Sequence, residues 1–317
     1  MVKKQNIAAL FAVALCGLAA VPATVKAGTE VASGKESKAV VEEAKKSYIS
    51  GDIGFTVTND YVSRGILQTP ETGVKFQPYL DLYFKLYEGT GFINNVTFNL
   101  GFWSNLESET SFAPAAGRKT NVWEEFDYMP GIAVTFAKNF TFTVSYFEFD
   151  SPNQSFSAAR SINLNLAYND TDLLGMWALH PHVTFLQEVD GHAGLNNARS
   201  SSPVNTAKCG QYYEVGIAPS FTFMKDSKYA PTLTLPVTAG FGSNGFYGNG
   251  FGYASAGGTI SVPLAFIPSG FGAWTASVGG TYYYTGKYPA AVAGPLTFSN
   301  GSRHSIGVAF TSLGLTF

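Results

Sequence analysis

The sequence predicts an all-β fold, a 12-stranded antiparallel up-and-down transmembrane β-barrel with short turns at one end and longer loops at the other. Three observations predict it. Charged residues make up 13% of the 317 positions, about half the roughly 25% usual in a soluble domain. An apolar leader opens the chain, yet nothing after it offers the run of roughly 18 apolar residues that a membrane helix needs. The remainder alternates apolar and polar side chains with period two. An exported chain this poor in charge must still place its apolar surface, and in lipid only a closed sheet pairs every backbone group.

Residues 1–27 read as a signal peptide. Lys3 and Lys4 form the positive head, residues 7–21 the apolar run, and Val25, Lys26 and Ala27 end in a small residue suited to cleavage. A cut after Ala23 fits the same pattern. Cys16 follows Leu15, where a lipidated cysteine needs a small residue. Removing the leader takes out three lysines and moves the formal net charge from −2 to −5. Cys209 is then the single cysteine, which excludes an intramolecular disulfide and a cysteine-based metal cluster. The balance gives no basic footprint for nucleic acid. Residues 28–50 are polar and without strand period, and read as a periplasmic N-terminal segment ahead of a barrel over 51–317.

The strands follow in order. Ile53, Phe55 and Val57 alternate with Thr56, Thr58 and Asp60. Residues 74–87 are the clearest case, with Phe76, Pro78, Leu80, Leu82, Phe84 and Leu86 opposite Gln77, Tyr79, Asp81, Tyr83, Lys85 and Tyr87. Val96, Phe98, Leu100 and Phe102 oppose Asn95, Thr97, Asn99 and Gly101. Phe126, Tyr128 and Ile132 oppose Glu125, Asp127 and Thr135, and Phe142 and Val144 oppose Thr141 and Thr143. Ile162, Leu164 and Leu166 oppose Ser161, Asn163 and Asn165. Trp177, Leu179, Val183 and Phe185 oppose His180, His182 and Thr184. Tyr213, Val215 and Ile217 oppose Glu214, and Leu233, Leu235 and Val237 oppose Thr232, Thr234 and Thr238. Ile260 and Val262 oppose Thr259 and Ser261, and Trp274 and Val278 oppose Thr275 and Ser277. The last strand spans about residues 303–317; its phase slips between Phe310 and Leu313, which places a bulge near Thr311. A soluble sandwich shares the alternation within each strand but gives no reason for short and long connections to alternate. The even strand count puts both termini on the periplasmic side.

Trp177, Trp274, Phe140 and Phe317 fall at the short-turn end and Trp103 and Trp123 at the long-loop end, as an interfacial aromatic belt requires. Trp103 has inward parity, which suits the lumen mouth. Leu313, Leu315 and Phe317 resemble the C-terminal signal by which the barrel-assembly machinery recognises outer-membrane barrels, with Ser312 at the usual glycine position.

Residues 59–69, NDYVSRGILQT, together with Gln77-Pro78, Asp81, Gly91-Phe92 and Trp103-Ser104-Asn105, resemble the opening motif of the TorF-like porins. Ser63 stands where that family usually has an aromatic. The likeness covers residues 51–106 and implies a pore-like barrel in the bacterial outer membrane.

The inward positions Asp60, Arg64, Tyr79, Asp81, Tyr83, Lys85, Glu125, Asp127, His180, His182 and Glu214 are the candidate lumen lining. Acids outnumber bases among them, so a watery lumen would favour cations weakly. Arg64 has the parity of Asp60 and either pairs with Asp60 or Asp81 or, with Gly65, only shapes a turn. Twelve strands enclose a lumen between the filled eight-stranded and the wide sixteen-stranded cases. The expectation is a porin-like channel for passive diffusion of small hydrophilic solutes, seated in outer-membrane lipid, needing no cofactor and no catalytic residue. A closed structural or surface-recognition barrel is the alternative. An outer-membrane lipid hydrolase fits less well: Ser243-Asn244-Gly245 is present, but Phe241 stands where that chemistry needs a base. His180 and His182 with Glu188 or Glu125 are the weak metal candidate.

Overall fold

The computed structural model describes residues 47–69, 73–108, 122–153, 158–190, 209–247, 250–286 and 304–317. The signal peptide and all but the last four residues of the 28–50 segment lie outside the described residues. The strands are β1 (Ile49–Thr58), β2 (Tyr61–Ser63), β3 (Ile66–Thr69), β4 (Lys75–Glu88), β5 (Ile93–Glu107), β6 (Trp123–Phe136), β7 (Phe140–Asp150) and β8 (Ala159–Tyr168). After a short helix α1 (Thr171–Leu174) come β9 (His182–Asp190), β10 (Gln211–Ile217), β11 (Ser220–Thr222), β12 (Thr232–Thr234), β13 (Val237–Gly242), β14 (Phe251–Pro263), β15 (Ala273–Thr285) and β16 (Ser305–Thr316).

β2 and β3 pair only with each other, and the other fourteen segments form one sheet. Proline explains why fourteen segments make twelve staves. β10 and β11 are one stave interrupted at Pro219, and β12 and β13 one stave interrupted at Pro236, because proline has no N–H for the ladder. Across the gaps Leu235 N–H donates to the Pro219 carbonyl at 2.9 Å and Gly257 N–H to the Pro236 carbonyl at 2.9 Å. β16 returns to β1 in register from Asp52↔Thr316 to Thr58↔Phe310. Gly51 and Phe317 extend that seam with two backbone hydrogen bonds of 3.0 and 2.9 Å. The result is a closed twelve-stave antiparallel barrel without a free sheet edge. No helix among the described residues is long and apolar enough to cross a membrane; the crossing elements are strands.

The outward face is apolar along its middle. Ile53, Ile132, Val144, Val183, Val215, Ile260 and Val278 are each 40–48% exposed, which in a soluble chain would be an unpaid surface. At the short-turn end Phe92, Phe136, Phe140 and Tyr168 form a chain of rings at 5.6, 5.6 and 4.6 Å across β5 to β8, the amphipathic girdle of an interface. At the long-loop rim the outward Arg160 lies 2.8 Å from Glu148 and 2.6 Å from Asp190, charges that belong above an apolar band.

Four expectations are corrected. β16 has no bulge near Thr311: its pairing with β15 and β1 is unbroken, so Ile306, Val308 and Phe310 all point inward. A bulge instead lies at Leu86, because Lys85 pairs with Thr97 and Tyr87 with Val96, which turns Tyr87 to the outer face. Trp177 opens no strand; it closes a 3-10 turn, Gly175–Trp177, with its ring 5.8 Å from Phe221. His180 is not on the lumen wall. It sits in the same turn with φ 49°, before β9 begins, and Pro181 separates it from the strand.

That turn is held by Asp170, which is 4% exposed. Its carboxylate accepts the N–H groups of Leu179 at 3.0 and 3.1 Å and of His180 at 2.9 Å. Burial works to raise the acid's pKa, but these bonds outweigh it and hold the group below the usual carboxylate range. A depressed folded-state pKa stabilises above the unfolded value of about 3.9 and loses that contribution as pH falls through the folded value. Asp170→Asn is therefore expected to cost about 1–3 kcal/mol near neutrality. Urea midpoints for refolding into phospholipid vesicles should show the gap to the native chain narrowing at acid pH.

Candidate functional site: a divided lumen

The inward positions split into two halves along the barrel axis. Toward the short turns they are polar and partly solvent-accessible: Asp52, Tyr79, Asp81 and Tyr83 on β1 and β4, Asn99 and Thr135 on β5 and β6, Ser261 and Ser277 on β14 and β15. Toward the long loops the inward positions are buried, including Thr58, Gln77, Asn105, Glu125, Asp127, Ser161, Glu188, Tyr212, Tyr253 and Phe310. Two inward segments make the difference, a hairpin after β1 and the turn after β13. After β1 the chain folds back into the barrel as the β2–β3 hairpin.

Its turn is Arg64-Gly65, with φ of 50° and 73°. Two successive positive φ values are those of a type I′ hairpin turn, which matches strand twist. Glycine is required at the second position by contact as well: a Cβ there would lie 2.6 Å from the Tyr253 ring. The Tyr247 hydroxyl donates to the Arg64 carbonyl at 2.6 Å. The guanidinium stands 5.2 Å from the Phe149 ring centroid and 5.9 Å from that of Tyr212. A turn that leaves from β1 thus touches β7, β10 and β14 and spans the bore.

Val62 and Leu67 share one face of the hairpin and Ser63 and Ile66 the other, and both faces are buried. Val62, Ile66 and Leu67, each at most 1% exposed, pack with Tyr283, Ile306, Val308 and Phe310 of the β15–β16 wall, with Leu186, Tyr212 and Tyr253, and with Phe246 and Tyr247 from the turn after β13. That turn begins at Ser243, whose Oγ accepts the Gln211 N–H at 2.9 Å and whose carbonyl accepts Phe246 and Tyr247 N–H at 2.9 and 3.1 Å. Ser243-Asn244-Gly245 so shapes a lumen cap. Burying the three hairpin aliphatics contributes about 1.5–3 kcal/mol each.

Toward β5 and β6 the Tyr61 hydroxyl donates to Glu125 Oε1 at 3.3 Å and its ring lies 5.1 Å from that of Trp103. The Arg64 charge acts on Glu125 and Asp127; Asp81 lies in the half of the lumen toward the short turns, and Asp60 accepts Asn59 Nδ2 at 3.1 Å. Asn105 Nδ2 donates to Glu107 and Glu124, both at 2.9 Å, and Asn105 Oδ1 accepts Gln77 Nε2 at 3.2 Å. Glu124 faces inward because the ladder slips opposite Asn105 and Leu106.

Below the hairpin Glu214 takes the hydroxyls of Tyr212 and, at 2.8 Å, of Tyr253, with His182 Nε2 3.6 Å away. His182 and His180 point into different compartments, the latter 3.8 Å from Asp170 Oδ1. Among the described residues no group of three or more His, Cys, Asp or Glu is arranged to hold a metal. Lys85 pairs with Glu88 at 3.2 Å on the short-turn rim. Asp52 and Asp81 are direct register partners, and Asp52 accepts the Thr316 hydroxyl. Tyr79 lies flat on the wall, its hydroxyl 2.7 Å from where a Cβ on Gly54 would stand and 2.8 Å from one on Gly314.

Sequence reading missed Glu107, Glu124, Lys75, Phe246 and Tyr247. Two adjacent aromatics inside a glycine-rich loop were the available signal for the last pair. Nothing local announces Glu124, since a bulge turns it.

No family model matches the sequence, and no curated protein matches it. Among solved structures the chain is similar to the NanC porin at 8% identity, covering 83% of this chain and 98% of that one with a TM-score of 0.43. It is similar to outer membrane phospholipase A from Escherichia coli at 14% identity, 84% and 92% coverage and a TM-score of 0.43. It is similar to Salmonella typhi OmpF, solved in complex with daunomycin, at 7% identity, 85% and 97% coverage and a TM-score of 0.37. At these values the likeness carries no residue correspondence.

Proposed function

We propose that this protein is an outer-membrane channel for passive diffusion of small hydrophilic solutes, closed on its long-loop side by its own β2–β3 hairpin. The observation that carries the reading is the division of the lumen. One half is lined by hydroxyls, amides and carboxylates open to solvent, and the other is filled by the β2–β3 hairpin packed with Phe246 and Tyr247 of the turn after β13 and with inward wall side chains. A barrel with a purely structural role has no need of a wetted half. On this reading the chain is exported by residues 1–27, Phe317 engages the barrel-assembly machinery, and the hairpin motif is that of the TorF-like porins.

The wetted half sets selectivity. Asp52 and Asp81 face each other across the β1–β4 ladder, and the short-turn rim adds Lys85 already paired with Glu88. The field of such a lumen favours cations. Asp52→Asn with Asp81→Asn, in a barrel lacking the hairpin, is expected to reduce a cation preference of a few-fold to about one. The reversal potential in a salt gradient across a planar bilayer reads this, and an unmoved potential removes the two carboxylates from the permeation path. Persistent silence of a correctly folded, hairpin-free barrel in the same apparatus sinks the channel reading.

A further inference from the structure

On the β4 and β5 wall of the wetted half, inward rings and open polar groups lie side by side. Tyr79 is held flat, its hydroxyl over Gly54 and Gly314, where a Cβ would come within 2.7 and 2.8 Å of it. One face of the ring is against backbone, so the other is left to the lumen. Trp103 on β5 is its register partner, and Tyr83 stands two inward positions further toward the short turns. Asp81 lies between the two tyrosines, beside its own register partner Asp52. It too is held against the wall, with Oδ1 2.7 Å from where a Cβ on Gly101 would stand. Asn99 faces Tyr83 across the ladder. The side chains of Asp81 and Asn99 make no hydrogen bond to another described residue. Farther around the ring, hydroxyls and amides bond each other instead: Thr135 Oγ1 and Thr141 Oγ1 at 3.2 Å, Ser261 Oγ and Ser277 Oγ at 2.9 Å, Asn165 Nδ2 to Thr184 Oγ1 at 2.9 Å.

A flat ring facing water beside an open carboxylate and an open amide suits a solute with the complementary halves, an apolar face and hydroxyl donors around its edge. A pyranose has both: its axial C–H bonds make one face and its hydroxyls make the rim. An inorganic cation has no use for the rings, and among the described residues no three acids, histidines or cysteines gather to ligate one. We infer that the Tyr79–Asp81–Tyr83 row binds a neutral saccharide, with the Tyr79 ring stacked on the sugar's C–H face and Asp81 and Asn99 bonding its hydroxyls. Hydrogen bonds to the carboxylate are the stronger ones, being charge-assisted. Tyr79 and Tyr83 are four residues apart, roughly 13 Å along a strand, so the row suits a short oligosaccharide rather than a single ring. Binding is a property of this wall; that the bound sugar goes on to cross the membrane rests on the channel reading, whose solute it specifies.

The test uses the full chain refolded from inclusion bodies, free of lipopolysaccharide sugar, in an amine-oxide detergent, whose head group is not a sugar. Saturation-transfer NMR, with the aromatic protons of the protein irradiated, is run with maltose, with mannitol and with tetraethylammonium. Transfer is expected to the ring C–H protons of maltose and to be about ten-fold weaker to mannitol, which has the hydroxyls without the flat face. Tyr79→Leu is expected to weaken maltose binding about ten-fold, and Asp81→Asn, which keeps the shape and loses the charge-assisted bonds, about three-fold. Should Tyr79→Leu fail to refold, Asp81→Asn and the mannitol comparison decide. No transfer to maltose, equal transfer to mannitol, transfer confined to tetraethylammonium, or an unchanged maltose affinity in a folded variant overturns the saccharide site. Planar-bilayer recording of the hairpin-free barrel separates this inference from the channel. A conducting barrel that binds no maltose keeps the channel and overturns the site; a maltose-binding barrel that stays silent keeps the site and overturns the channel.

Discussion

Replacing residues 61–69 by a short glycine–serine link is expected to raise single-channel conductance by about an order of magnitude, because an eight-to-sixteen-strand interpolation leaves a bore that only side chains or a plug can fill. The twelve staves do not need the hairpin to close: every ladder pairing is between wall strands, and β2 and β3 pair only with each other. What the deletion exposes is the lining that now meets Val62, Ile66 and Leu67, chiefly Ile306, Val308 and Phe310. An apolar constriction of that kind still conducts poorly if it dewets, so the same deletion with Phe310→Ser should conduct more than the deletion alone. Conductance steps in symmetric salt measure both. Unchanged steps from a folded deletion variant would mean that another segment occupies the bore.

The second large effect concerns the outer wall. Leu100 pairs with Leu82 and Pro130 near the middle of β4, β5 and β6 and points outward. Leu100→Arg is expected to cost about 2–4 kcal/mol, the penalty for a cation at the bilayer midplane. Asn99→Arg, one residue earlier and inward between Tyr83 and Gly131, should cost under about 1 kcal/mol, since its head reaches the wetted half of the lumen. Refolding equilibria in urea against lipid vesicles give both numbers. Equal penalties at the two positions would contradict the assignment of inside and outside that organises the whole barrel.

Much of this arrangement is legible in the chain, and its failures have a common cause. Residues 74–85 read correctly because one face of β4 meets oil and the other meets water or buried polar groups. β16 misled because apolarity marks the absence of water rather than the presence of lipid: Ile306, Val308 and Phe310 are apolar toward a plug, and taking them as lipid-facing forced a bulge that does not exist. His180 misled because Trp177, Leu179 and Val183 happen to continue the period through a turn that Asp170 and Pro181 break. The Arg64-Gly65 turn was visible as a motif, but whether it points to solvent or into the bore depends on Tyr247, Tyr253 and Phe149, which lie far away in sequence. The charge of Arg64 acts on Glu125 and Asp127 for the same reason, through a fold-back that parity on a strand does not contain.

The flat tyrosine in the wetted half has a bearing on how the cylinder finds its shape. Tyr79, Gly54 and Gly314 stand in one row, on β4, β1 and β16, and the ring on the first reaches over the bare backbones of the other two. First and last staves meet at this seam, so their alignment is the one that closes the cylinder. Sliding β16 by two residues in either direction would bring Ser312 or Thr316 beneath the phenol, where no side chain fits. The row works as a keyway that admits a single alignment and thereby fixes the stagger, tilt and diameter of the finished cylinder.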